Sequence, residues 1–580
     1  MPGVVGFFEE KISCSHSVGE TVFTNEFGFY SQLLKTQSGS VACGQLIDLN
    51  LNITIWGDVF SIANSDTDRN AFLVFLAQAY RQNTVANFMS LVNGYFVICI
   101  VDTQQEHVSY ISDRYGMKPL YLWYQDECVK GVASEQKELL LHSQHDRALD
   151  NDALNCFVDV GHFLGQKTLF SSIKRLAPAT IIQLDKSGAI LNNAQFWSWN
   201  NIKKTDKVSF NDAIDLVAVK FDKAVERAVK TITQDKLAIT LSGGLDSRVL
   251  LAAAKVHYSG EIHTFTFGEP GCSDVKLAKQ VSEAVGVTHH IVEIDEQSWF
   301  DGREQGVWLT DGMKNVLHMH ALSSVNVISG YSNYLLNGFL GDVTFGGTYL
   351  FPKSKDNEST EKKLERRFGQ YWLQAGADSD YFTEGDQEQV NIYNRGTRFI
   401  AAGSDLLSHE LHQFKPFMDN DLVELLYSLP DTFRENGKLY HHMLLKYYPE
   451  YFESIPWQQT GKPITKEVAS AAQHSNMKSR IKDLLVGSPI ERLARKVYRK
   501  LAKKHHYVAY DTWLKEPKFK LYVQQLLNED SHVAKALPKG NCSKLVDKYY
   551  NSSSSIKPET LGSLITIELF LRQLEHSSLG

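Results

Sequence analysis

The sequence lacks any long apolar run, and its first residues lack a basic segment followed by an apolar core. A helix that crosses a bilayer needs roughly 20 mostly apolar residues, and a secretory signal needs a basic start before its apolar stretch. We therefore expect neither a membrane-spanning helix nor export, and we expect a cytoplasmic location.

Cysteine is scarce and dispersed. The seven cysteines are at positions 14, 43, 99, 128, 156, 272 and 542, and no two form a Cys-x-x-Cys pair. An odd number of scattered cysteines is typical of reduced, structural thiols and not of a disulfide framework.

Net charge is low as well. The chain has 60 Lys and Arg against 67 Asp and Glu, which gives −7 at pH 7. This balance provides no global attraction to nucleic acid, so we expect no nucleic-acid partner. With 580 residues, 43% apolar and 22% charged, the chain has the composition of a globular protein with more than one domain.

The first half, up to about residue 200, contains short apolar or alternating runs separated by turn residues. Such runs predict antiparallel strands with a few helices between them. The predicted strands are Gly3–Phe8, Asn52–Trp56, Gly94–Asp102, Val108–Ser112, Leu120–Tyr124 and Thr180–Leu184, with a helix over Asp68–Tyr80. A polar segment, Asn200–Val208, predicts a linker.

The second half alternates strands and helices, which predicts a parallel sheet covered by helices on both faces. The predicted order is strand Leu237–Leu241, helix Ser247–His257, strand Ile262–Gly268, helix Asp274–Val285, strand His290–Ile294 and strand Tyr334–Gly338, followed by a mainly helical region from about Phe399. Ligands of such sheets bind beyond the carboxyl ends of the strands.

The most informative segment follows the first of these strands. Leu241 ends the strand, Ser242, Gly243 and Gly244 form a predicted turn, and Asp246 and Ser247 open the next helix. Bare backbone N–H groups and the positive end of the helix dipole would surround a small anion there. Because Asp246 would repel a phosphate, a divalent metal between them is the natural arrangement. The Lys-Ser/Thr pair that ends the common phosphate loop is missing.

The string Ser-Gly-Gly-Leu-Asp-Ser resembles the pyrophosphate-binding loop of enzymes that split ATP into AMP and pyrophosphate. Over nearly its full length the chain also resembles the asparagine synthetase family, which includes β-lactam synthetases and lasso-peptide cyclases. The matching strings are Met1–Phe8, Ser112–Tyr121, Ala133–Lys137, Phe267–Asp274 with His289 and His290, Asn337–Gly347 and Lys415–Asp419.

This resemblance implies a fold with two parts. Residues 1–200 would form an αββα sandwich like that of class II glutamine amidotransferases. Residues 208–580 would form a parallel-sheet ATP-pyrophosphatase domain with a helical C-terminal part. ATP would bind with adenine beside Phe267 and Gly268, with Gly338 nearby, and Mg²⁺ would be held by Asp246 and Asp342.

Two departures from the family pattern fall in the first half. The family's glutaminase uses an N-terminal cysteine at position 2, where this chain has Pro2, a residue without a thiol. The oxyanion-stabilising Asn-Gly of the family corresponds to Trp56-Gly57, which lacks the donor side chain. We therefore expect a degenerate glutaminase-like domain that does not hydrolyse glutamine.

Two further departures fall beside Asp342. Phe339 occupies the position where asparagine synthetases have Glu and β-lactam synthetases have Tyr, and Val343 replaces the second Glu of this motif. Phe339 cannot accept a proton or bind a substrate ammonium as a carboxylate would. The resemblance thus implies a retained ATP site with an altered acceptor side, acting on a carboxylate other than aspartate.

Lys462 is at the position where the family places a lysine on the α-phosphate, and an exposed loop lysine is the alternative interpretation. A cation there would stabilise charge that develops at phosphorus. His409, Glu410 and Tyr440 are candidates for a general base, and the sequence does not choose among them.

The predicted function is an ATP-dependent, AMP- and diphosphate-forming ligase that joins a small-molecule or peptide carboxylate to an amine or ammonia, in specialised metabolite, peptide or glycan biosynthesis. The alternatives are an ammonia-dependent asparagine synthetase and a non-catalytic nucleotide-binding partner protein. A homodimer is compatible with the sequence.

One segment is locally basic and amphipathic. In residues 489–506, Leu493, Val497 and Leu501 recur every four residues, with Lys and Arg on much of the rest. Such a helix could contact an anionic lipid, a phosphorylated carrier or an acidic substrate. A solvated helix packed by one apolar stripe is the alternative.

Overall fold

The computed structural model describes residues 3–8, 21–34, 43–48, 50–350, 359–464, 508–538, 540–551 and 556–577, without the side chains of residues 21–25 and 34. Pro2 and the basic segment 489–506 lie outside the described residues. None of the helices in these ranges combines the length and apolar content that crossing a bilayer requires.

Two antiparallel sheets form the first half. Their strands are β1 (Gly3–Phe8), β2 (Thr21–Glu26), β3 (Phe29–Leu34), β4 (Cys43–Asp48), β5 (Leu51–Ile62), β6 (Ser65–Asp66), β7 (Val92–Asp102), β8 (His107–Ser112), β9 (Tyr121–Gln125), β10 (Cys128–Ala133), β11 (Ile173–Arg175), β12 (Thr180–Asp185) and β13 (Ile190–Gln195). One sheet has the order β11-β9-β10-β1-β3-β2, and the other has β13-β12-β8-β7-β5-β4 with β6 on β5.

Helices cover the outer faces of both sheets. They are α1 (Arg69–Arg81), α2 (Val85–Ser90), α3 (Gln136–Leu140) and α4 (Asn151–Val160). Phe8 and Phe29 from one sheet and Val97 and Tyr110 from the other meet in a shared core, while α1 packs on the far side of β5. This arrangement is the predicted αββα sandwich, and the predicted strands and helix are all present, some of them longer.

The second half is built on five parallel strands. These are β14 (Lys236–Thr240), β15 (Glu261–Gly268), β16 (Thr288–Glu293), β17 (Tyr334–Leu336) and β18 (His412–Phe414), in the order β16-β15-β14-β17-β18. The parallel sheet was predicted, but β18 was not. With only three residues, β18 carries too little pattern to be recognised in a sequence.

Most of the remaining chain is helical. The helices are α5 (Phe210–Lys230), α6 (Asp246–His257), α7 (Ser273–Val285), α8 (Arg303–Leu309), α9 (Val325–Ser329), α10 (Gly341–Thr344), α11 (Thr360–Phe368), α12 (Gln387–Asn391), α13 (Ala401–Asp405), α14 (Asn420–Ser428), α15 (Asp431–Arg434), α16 (Lys438–Tyr447), α17 (Pro449–Phe452), α18 (Tyr510–Trp513), α19 (Pro517–Leu526), α20 (His532–Ala536), α21 (Asn541–Asn551) and α22 (Pro558–Ser577). A π-helix spans Ile392–Ile400 between α12 and α13.

The long helix α5 begins directly after the predicted linker. The Ser209 hydroxyl accepts a hydrogen bond from the Asp212 N–H and caps its N-terminus. Val217, Phe221 and Val225 recur at helical spacing and are buried. This apolar face packs on α6, α14 and α16, so α5 supports the helix that opens at Asp246.

Buried polar contacts join the two halves. The Asn93 amide donates to the Asp419 carboxylate at 2.8 Å, and Arg227 reaches the same carboxylate at 3.2 Å. His412 on β18 lies 3.1 Å from Asp58 on β5. Because buried polar groups need partners, these contacts fix the position of one half against the other.

Candidate functional site

The candidate site lies where the strand order of the parallel sheet reverses direction. Strand β14 pairs with β15 on one side and with β17 on the other. The loops that follow β14 and β17 therefore leave the sheet side by side, at the point where ligands of open parallel sheets bind. One loop carries Ser242–Ser247 and the other carries Gly338 and Asp342.

The loop after β14 is folded by its own side chains. The Ser242 N–H donates to the Ser247 hydroxyl at 3.0 Å, and the Gly244 N–H donates to the Ser242 hydroxyl at 3.1 Å. The Gly243 N–H donates to Asp274 at 2.9 Å. The N–H groups of Ser242, Gly243 and Gly244 are therefore not bare, because side-chain oxygens already accept them. An anion would be met by the first turn of α6, which begins at Asp246.

Asp274 links this loop to a distant segment. Its carboxylate accepts the Gly243 N–H and also the Gln458 side-chain amide, at 2.6 Å. The Gln458 N–H in turn donates to the Gly243 carbonyl at 3.1 Å. A Cβ at residue 243 would lie 2.9 Å from a Leu277 methyl and 3.0 Å from Gln458 Cβ, so glycine allows this close packing.

Asp246 and Asp342 come together as predicted. The Asp342 N–H donates to Asp246 Oδ2 at 2.9 Å, and the Tyr440 hydroxyl donates to Asp246 Oδ1 at 2.9 Å. Two glycines of the second loop make this possible. A Cβ at Gly338 would lie 3.2 Å from Asp246 Cβ, and one at Gly341 would lie 2.5 Å from Asp246 Cγ.

The electrostatics of this pair favour a cation. Burial, followed by the neighbouring charge of Asp342, raises the pKa of Asp246 to about 7. Burial also raises the pKa of Asp342, although that residue keeps contact with solvent. The charge of Asp342 thus disfavours a charged Asp246, and a divalent cation would relieve this repulsion.

The chemistry of the donors fits magnesium. In the described part of the chain no group of three or more His, Cys, Asp or Glu side chains could hold a metal ion. Mg²⁺ is commonly bound by one or two carboxylates, with phosphate and water oxygens completing its shell. Asp246 and Asp342 supply such a set for a metal that arrives with a phosphate ligand.

Arg248, which the sequence did not single out, anchors a second wall of the site. Its buried guanidinium donates to the carbonyls of Tyr451, Ile455 and Pro456 at 3.2, 3.3 and 3.0 Å. One α6 residue thus holds the chain that precedes Lys462. Sequence gave no signal for this role, since all of these acceptors are backbone oxygens.

Lys462 lies on that anchored chain. Its carbonyl accepts the Trp457 N–H at 2.9 Å and its N–H donates to the Thr460 hydroxyl at 3.2 Å, which forms a tight turn. The turn is adjacent to Gly243 through Gln458, and Lys462 itself is exposed. The structure thus brings the Lys462 segment to the loop, and the role of its ammonium stays a prediction.

Phe267 and Gly268 end strand β15, next to the same loop. The half-buried Phe267 ring faces a cavity of about 720 Å³ that Thr240 and Asn337 also line. These residues end β15 and β14 or directly follow β17, so the cavity opens at the predicted edge of the sheet. An adenosine group could enter it beside Phe267.

Phe339 is buried and cannot reach a substrate as a proton acceptor. It is 3% exposed, and the Lys415 ammonium lies over its ring, 4.8 Å from the centroid. Lys415 also lies 3.5 Å from Asp405. An aromatic face under a lysine therefore occupies the place that the resemblance assigns to a substrate-facing carboxylate or phenol.

Of the three candidate bases, only Tyr440 contacts Asp246. Burial raises its pKa well above the usual range, which makes it a hydrogen-bond donor and a poor base. His409 lies instead near Glu135 of the first half, at 3.7 Å, and Glu410 is exposed.

In the first half, the Trp56 side chain fills the space beside β1. Trp56 is 1% exposed, and the Lys118 ammonium lies 4.8 Å from its ring centroid. The ring approaches the first described residue of β1, since a Cβ at Gly3 would lie 3.7 Å from it. Gly57 has φ of +127°, and a Cβ there would be 2.2 Å from the Tyr95 carbonyl oxygen. The glycine lets β5 lie this close to β7, while the tryptophan fills the space beside β1.

Each half of the chain matches the model of a known domain family. Residues 61–197 match the glutamine amidotransferase domain model, and residues 219–412 match the asparagine synthase model. The chain is similar to the asparagine synthetase family. The second match contains Asp246, Phe339 and Asp342, while Trp56 and Lys462 lie outside both matched ranges.

The matching relatives share only a low fraction of identical residues with this chain. The glutamine-hydrolyzing asparagine synthetase 3 of Arabidopsis thaliana is 25% identical over 297 residues, which cover 48% of this chain and 45% of the relative. The glutamine-hydrolyzing asparagine synthetase of Gallus gallus is 21% identical over 380 residues, which cover 62% and 60%. The matched part of the chain thus spans about half the length of these relatives.

Proposed function

We propose that this protein is an ATP-dependent, AMP- and diphosphate-forming ligase that joins a carboxylate to an amine or ammonia. The observation that carries the proposal is the pair Asp246 and Asp342, held together at the switch point of the parallel sheet and beside a cavity. The match of residues 219–412 to the asparagine synthase model supports the same class of enzyme. Its place would be specialised metabolite, peptide or glycan biosynthesis.

In this proposal ATP binds along the carboxyl edge of the sheet. Its β- and γ-phosphates lie at the start of α6, with Leu241, Ser242, Gly243, Gly244 and Ser247 shaping the loop around them, and its adenosine lies near Phe267, Gly268 and Gly338. Asp246 and Asp342 would hold Mg²⁺, which neutralises phosphate charge when bound.

The reaction has two steps. A substrate carboxylate oxygen attacks the α-phosphorus, an O–P bond forms, and the bond to pyrophosphate breaks. The amine nitrogen then attacks the acyl carbon, the acyl C–O bond breaks, AMP leaves and the nitrogen loses a proton. The chain contributes positioning and charge stabilisation, and Lys462 would supply a cation at the α-phosphate.

The amine would come from solution or from the substrate, because we propose that the first half does not hydrolyse glutamine. Trp56 supports this, since its ring fills the space beside β1 and offers no amide donor. The first half would then serve as a structural partner that packs against the ligase half. We also propose a cytoplasmic location, in which Cys99, Cys128, Cys156, Cys272 and Cys542 would remain free thiols as they are here.

A panel of carboxylic acids, scored by pyrophosphate release with and without ammonia, tests the proposal. We expect release that depends on one acid and that is lost in Asp246→Asn. Formation of ADP in place of AMP, or no release with any acid while ATP still binds, would contradict it. In the second case a non-catalytic nucleotide-binding partner would be the better description.

Ammonia-dependent asparagine synthesis is the second candidate, and the names of the relatives favour it. Phe339 opposes it, because it replaces the substrate-facing carboxylate of asparagine synthetases and Lys415 already covers its ring. Formation of asparagine from aspartate, ammonia and ATP at a rate above that of every other acid would establish this candidate.

A further inference from the structure

The carboxylate of Asp246 is held at both of its oxygens. Oδ2 accepts the Asp342 N–H at 2.9 Å, and Oδ1 accepts the Tyr440 hydroxyl at 2.9 Å. Because each carboxylate oxygen has about two lone-pair sites, each oxygen keeps one after these contacts. The two donors therefore fix the rotation of the carboxylate and still leave it able to bind a cation.

Tyr440 is a donor whose own position is fixed by packing. It lies in the first turn of α16, which follows a sharp turn at Asn436, with φ of +55°, and Gly437, with φ of +70°. The side chain is 2% exposed, and its ring centroid lies 5.0 Å from that of Phe345, the residue that follows α10. This ring contact ties the hydroxyl to the helix that carries Asp342.

The Tyr440 hydroxyl has a single task in the part of the chain that the structure describes. Its hydrogen-bond partner there is Asp246 alone. Replacement of the tyrosine by phenylalanine would therefore remove this one contact, while the ring could keep its place against Phe345. Few residues near the aspartate pair allow such a clean separation of a hydrogen bond from packing.

Thr348 provides a weaker counterpart for Asp342. Its hydroxyl lies 3.0 Å from Asp342 Oδ2 and 2.8 Å from the Asp342 carbonyl oxygen. A hydroxyl has only one hydrogen to donate, so these two acceptors share it. Each aspartate thus has one hydroxyl beside it, and Asp342 is held less firmly than Asp246.

Donors of this kind orient a metal ligand before the metal arrives. A carboxylate fixed at only one oxygen can turn more freely about its Cβ–Cγ bond, and cation binding would then have to order it at a cost in entropy. Hydrogen bonds to a charged carboxylate also stabilise that charge, which offsets the repulsion between Asp342 and Asp246. Loss of such a partner typically weakens metal binding about tenfold to a hundredfold.

We propose that Tyr440 is a positioning residue, which holds the Asp246 carboxylate in the orientation that accepts Mg²⁺, and that Thr348 does the same for Asp342 to a smaller extent. This inference rests on the proposed function, because it concerns the cation of the same site. Tyr440 is buried and acts through Asp246, not on ATP or on the substrate carboxylate.

The test measures metal binding without turnover. Mn²⁺, a paramagnetic substitute for Mg²⁺, is titrated into the whole protein with α,β-methylene-ATP, which cannot be split at the α-phosphorus, and free Mn²⁺ is read by electron paramagnetic resonance. Parallel titrations of the nucleotide alone give its own share of binding. We expect Tyr440→Phe to raise the Kd of Mn²⁺ about tenfold to a hundredfold.

Tyr549→Phe is the matched control. Tyr549 is a buried tyrosine of α21, and its hydroxyl has no hydrogen-bond partner among the described residues. This variant should leave the Kd of Mn²⁺ within about twofold of the wild-type value, because the site keeps all of its donors. An equal rise in both variants would mean that loss of any buried hydroxyl loosens the fold, and it would overturn the inference.

Thr348 offers a rescue experiment. Thr348→Val should weaken Mn²⁺ binding less than Tyr440→Phe does, and Thr348→Ser, which keeps the hydroxyl, should restore most of the affinity. If Thr348→Ser is as weak as Thr348→Val, the methyl group and not the hydroxyl is what matters, and the role of Thr348 is rejected.

Kinetics separate positioning from a direct role in the reaction. In Tyr440→Phe the Mg²⁺ concentration for half-maximal pyrophosphate release should rise by about the same factor as the Kd of Mn²⁺, while kcat at saturating Mg²⁺ returns close to the wild-type value. A kcat that stays low at every Mg²⁺ concentration, with unchanged Mn²⁺ affinity, would overturn the inference.

The same titration distinguishes this inference from the proposed function. Weaker Mn²⁺ binding in Tyr440→Phe, without pyrophosphate release from any acid by the wild type, would support the positioning role and reject the ligase. Pyrophosphate release with equal Mn²⁺ affinity in Tyr440→Phe and the wild type would keep the ligase and reject the positioning role. A wild-type protein that binds no Mn²⁺ beside the nucleotide would also reject the positioning role.

Discussion

Two pockets of this molecule stand in contrast: the one beside β1 in the first half and the one at the switch point in the second. In the first, Trp56 and Lys118 fill the space with an aromatic ring and an ammonium. In the second, Gly338 and Gly341 let the loop after β17 approach Asp246 closely. Large side chains thus close the space beside β1, whereas missing side chains at the switch point bring two loops together around one carboxylate.

Replacement of Asp246 should give the largest effect on activity. Asp246→Asn removes one of the two carboxylates that we propose to hold Mg²⁺, and we expect pyrophosphate release to fall about a thousandfold. Because it also removes repulsion against Asp342, the unfolding free energy should not decrease. Asp206→Asn, in the exposed segment between the halves, is the control. An active Asp246→Asn protein would show that the pocket is not catalytic.

Replacement of Trp56 should lower stability and leave the rate nearly unchanged, which is the opposite of the result expected for Asp246→Asn. Trp56→Ala empties a buried site, and we expect unfolding to become easier by about 3 kcal/mol. The folded variant should release pyrophosphate at nearly the wild-type rate. Denaturant titration and rate measurement on the same preparation check both statements. A large loss of rate at unchanged stability would make this pocket part of the active site.

Arg248 tests whether the wall that carries Lys462 matters. Arg248→Met leaves the Tyr451, Ile455 and Pro456 carbonyls without their donor and should loosen this wall. We expect the KM of ATP to rise about tenfold, with a smaller change for Arg248→Lys, which keeps one cation but loses the fork of donors. Equal kinetics in both variants and the wild type would show that the wall is positioned by other contacts.

Acid should weaken the packed boundary between the halves. Burial, with the charges of Arg395 and Arg398, lowers the pKa of His162 to about 3, and its ring lies 5.4 Å from Phe399. The folded state thus disfavours the proton that the unfolded chain binds below pH 6.5. Stability from this residue is complete above pH 6.5 and is lost as pH falls, by about 1.4 kcal/mol per unit.

Denaturant titrations between pH 7 and pH 5 measure this slope. His162→Gln should make the slope shallower by up to that amount, whereas His257→Gln, at a partly exposed position, should change it much less. An unchanged slope in His162→Gln would show that the ring is protonated or solvated in the folded protein.

The smallest expected effect on amide formation is that of supplying glutamine as the nitrogen source. Addition of glutamine in place of ammonia should release no glutamate above background and should not support amide formation. Coupled glutamate detection measures this directly. Release of glutamate at an enzymatic rate would mean that the first half retains a glutaminase despite Pro2 and Trp56.

Much of the fold could be predicted from local pattern. The strands of the sandwich and the alternating strands and helices of the second half carry strong periodicities, and the observed bounds lie near the predicted ones. The three-residue strand β18 and the π-helix Ile392–Ile400 were missed, because their conformations depend on partners far away in the chain. Helix α5 was also overlooked, although its apolar spacing is present in the sequence.

The sequence alone determined the chemical types at the site. Ser242–Ser247, Asp342 and Phe339 predict a phosphate loop, a metal pair and an altered acceptor position, since such predictions depend on residue type and order. Tertiary structure alone decided which of the loop N–H groups are already bonded, that Tyr440 donates to Asp246 and that Arg248 holds the Lys462 segment. These are contacts between residues far apart in sequence, and no local periodicity records them.

The pairing of Lys314 with Arg395 belongs to the same class. In the sequence they are ordinary cations, 81 positions apart by their numbers. Only the packing of a π-helix against the cavity wall brings both cations onto the ring of Phe399, a contact that no local pattern in the sequence records.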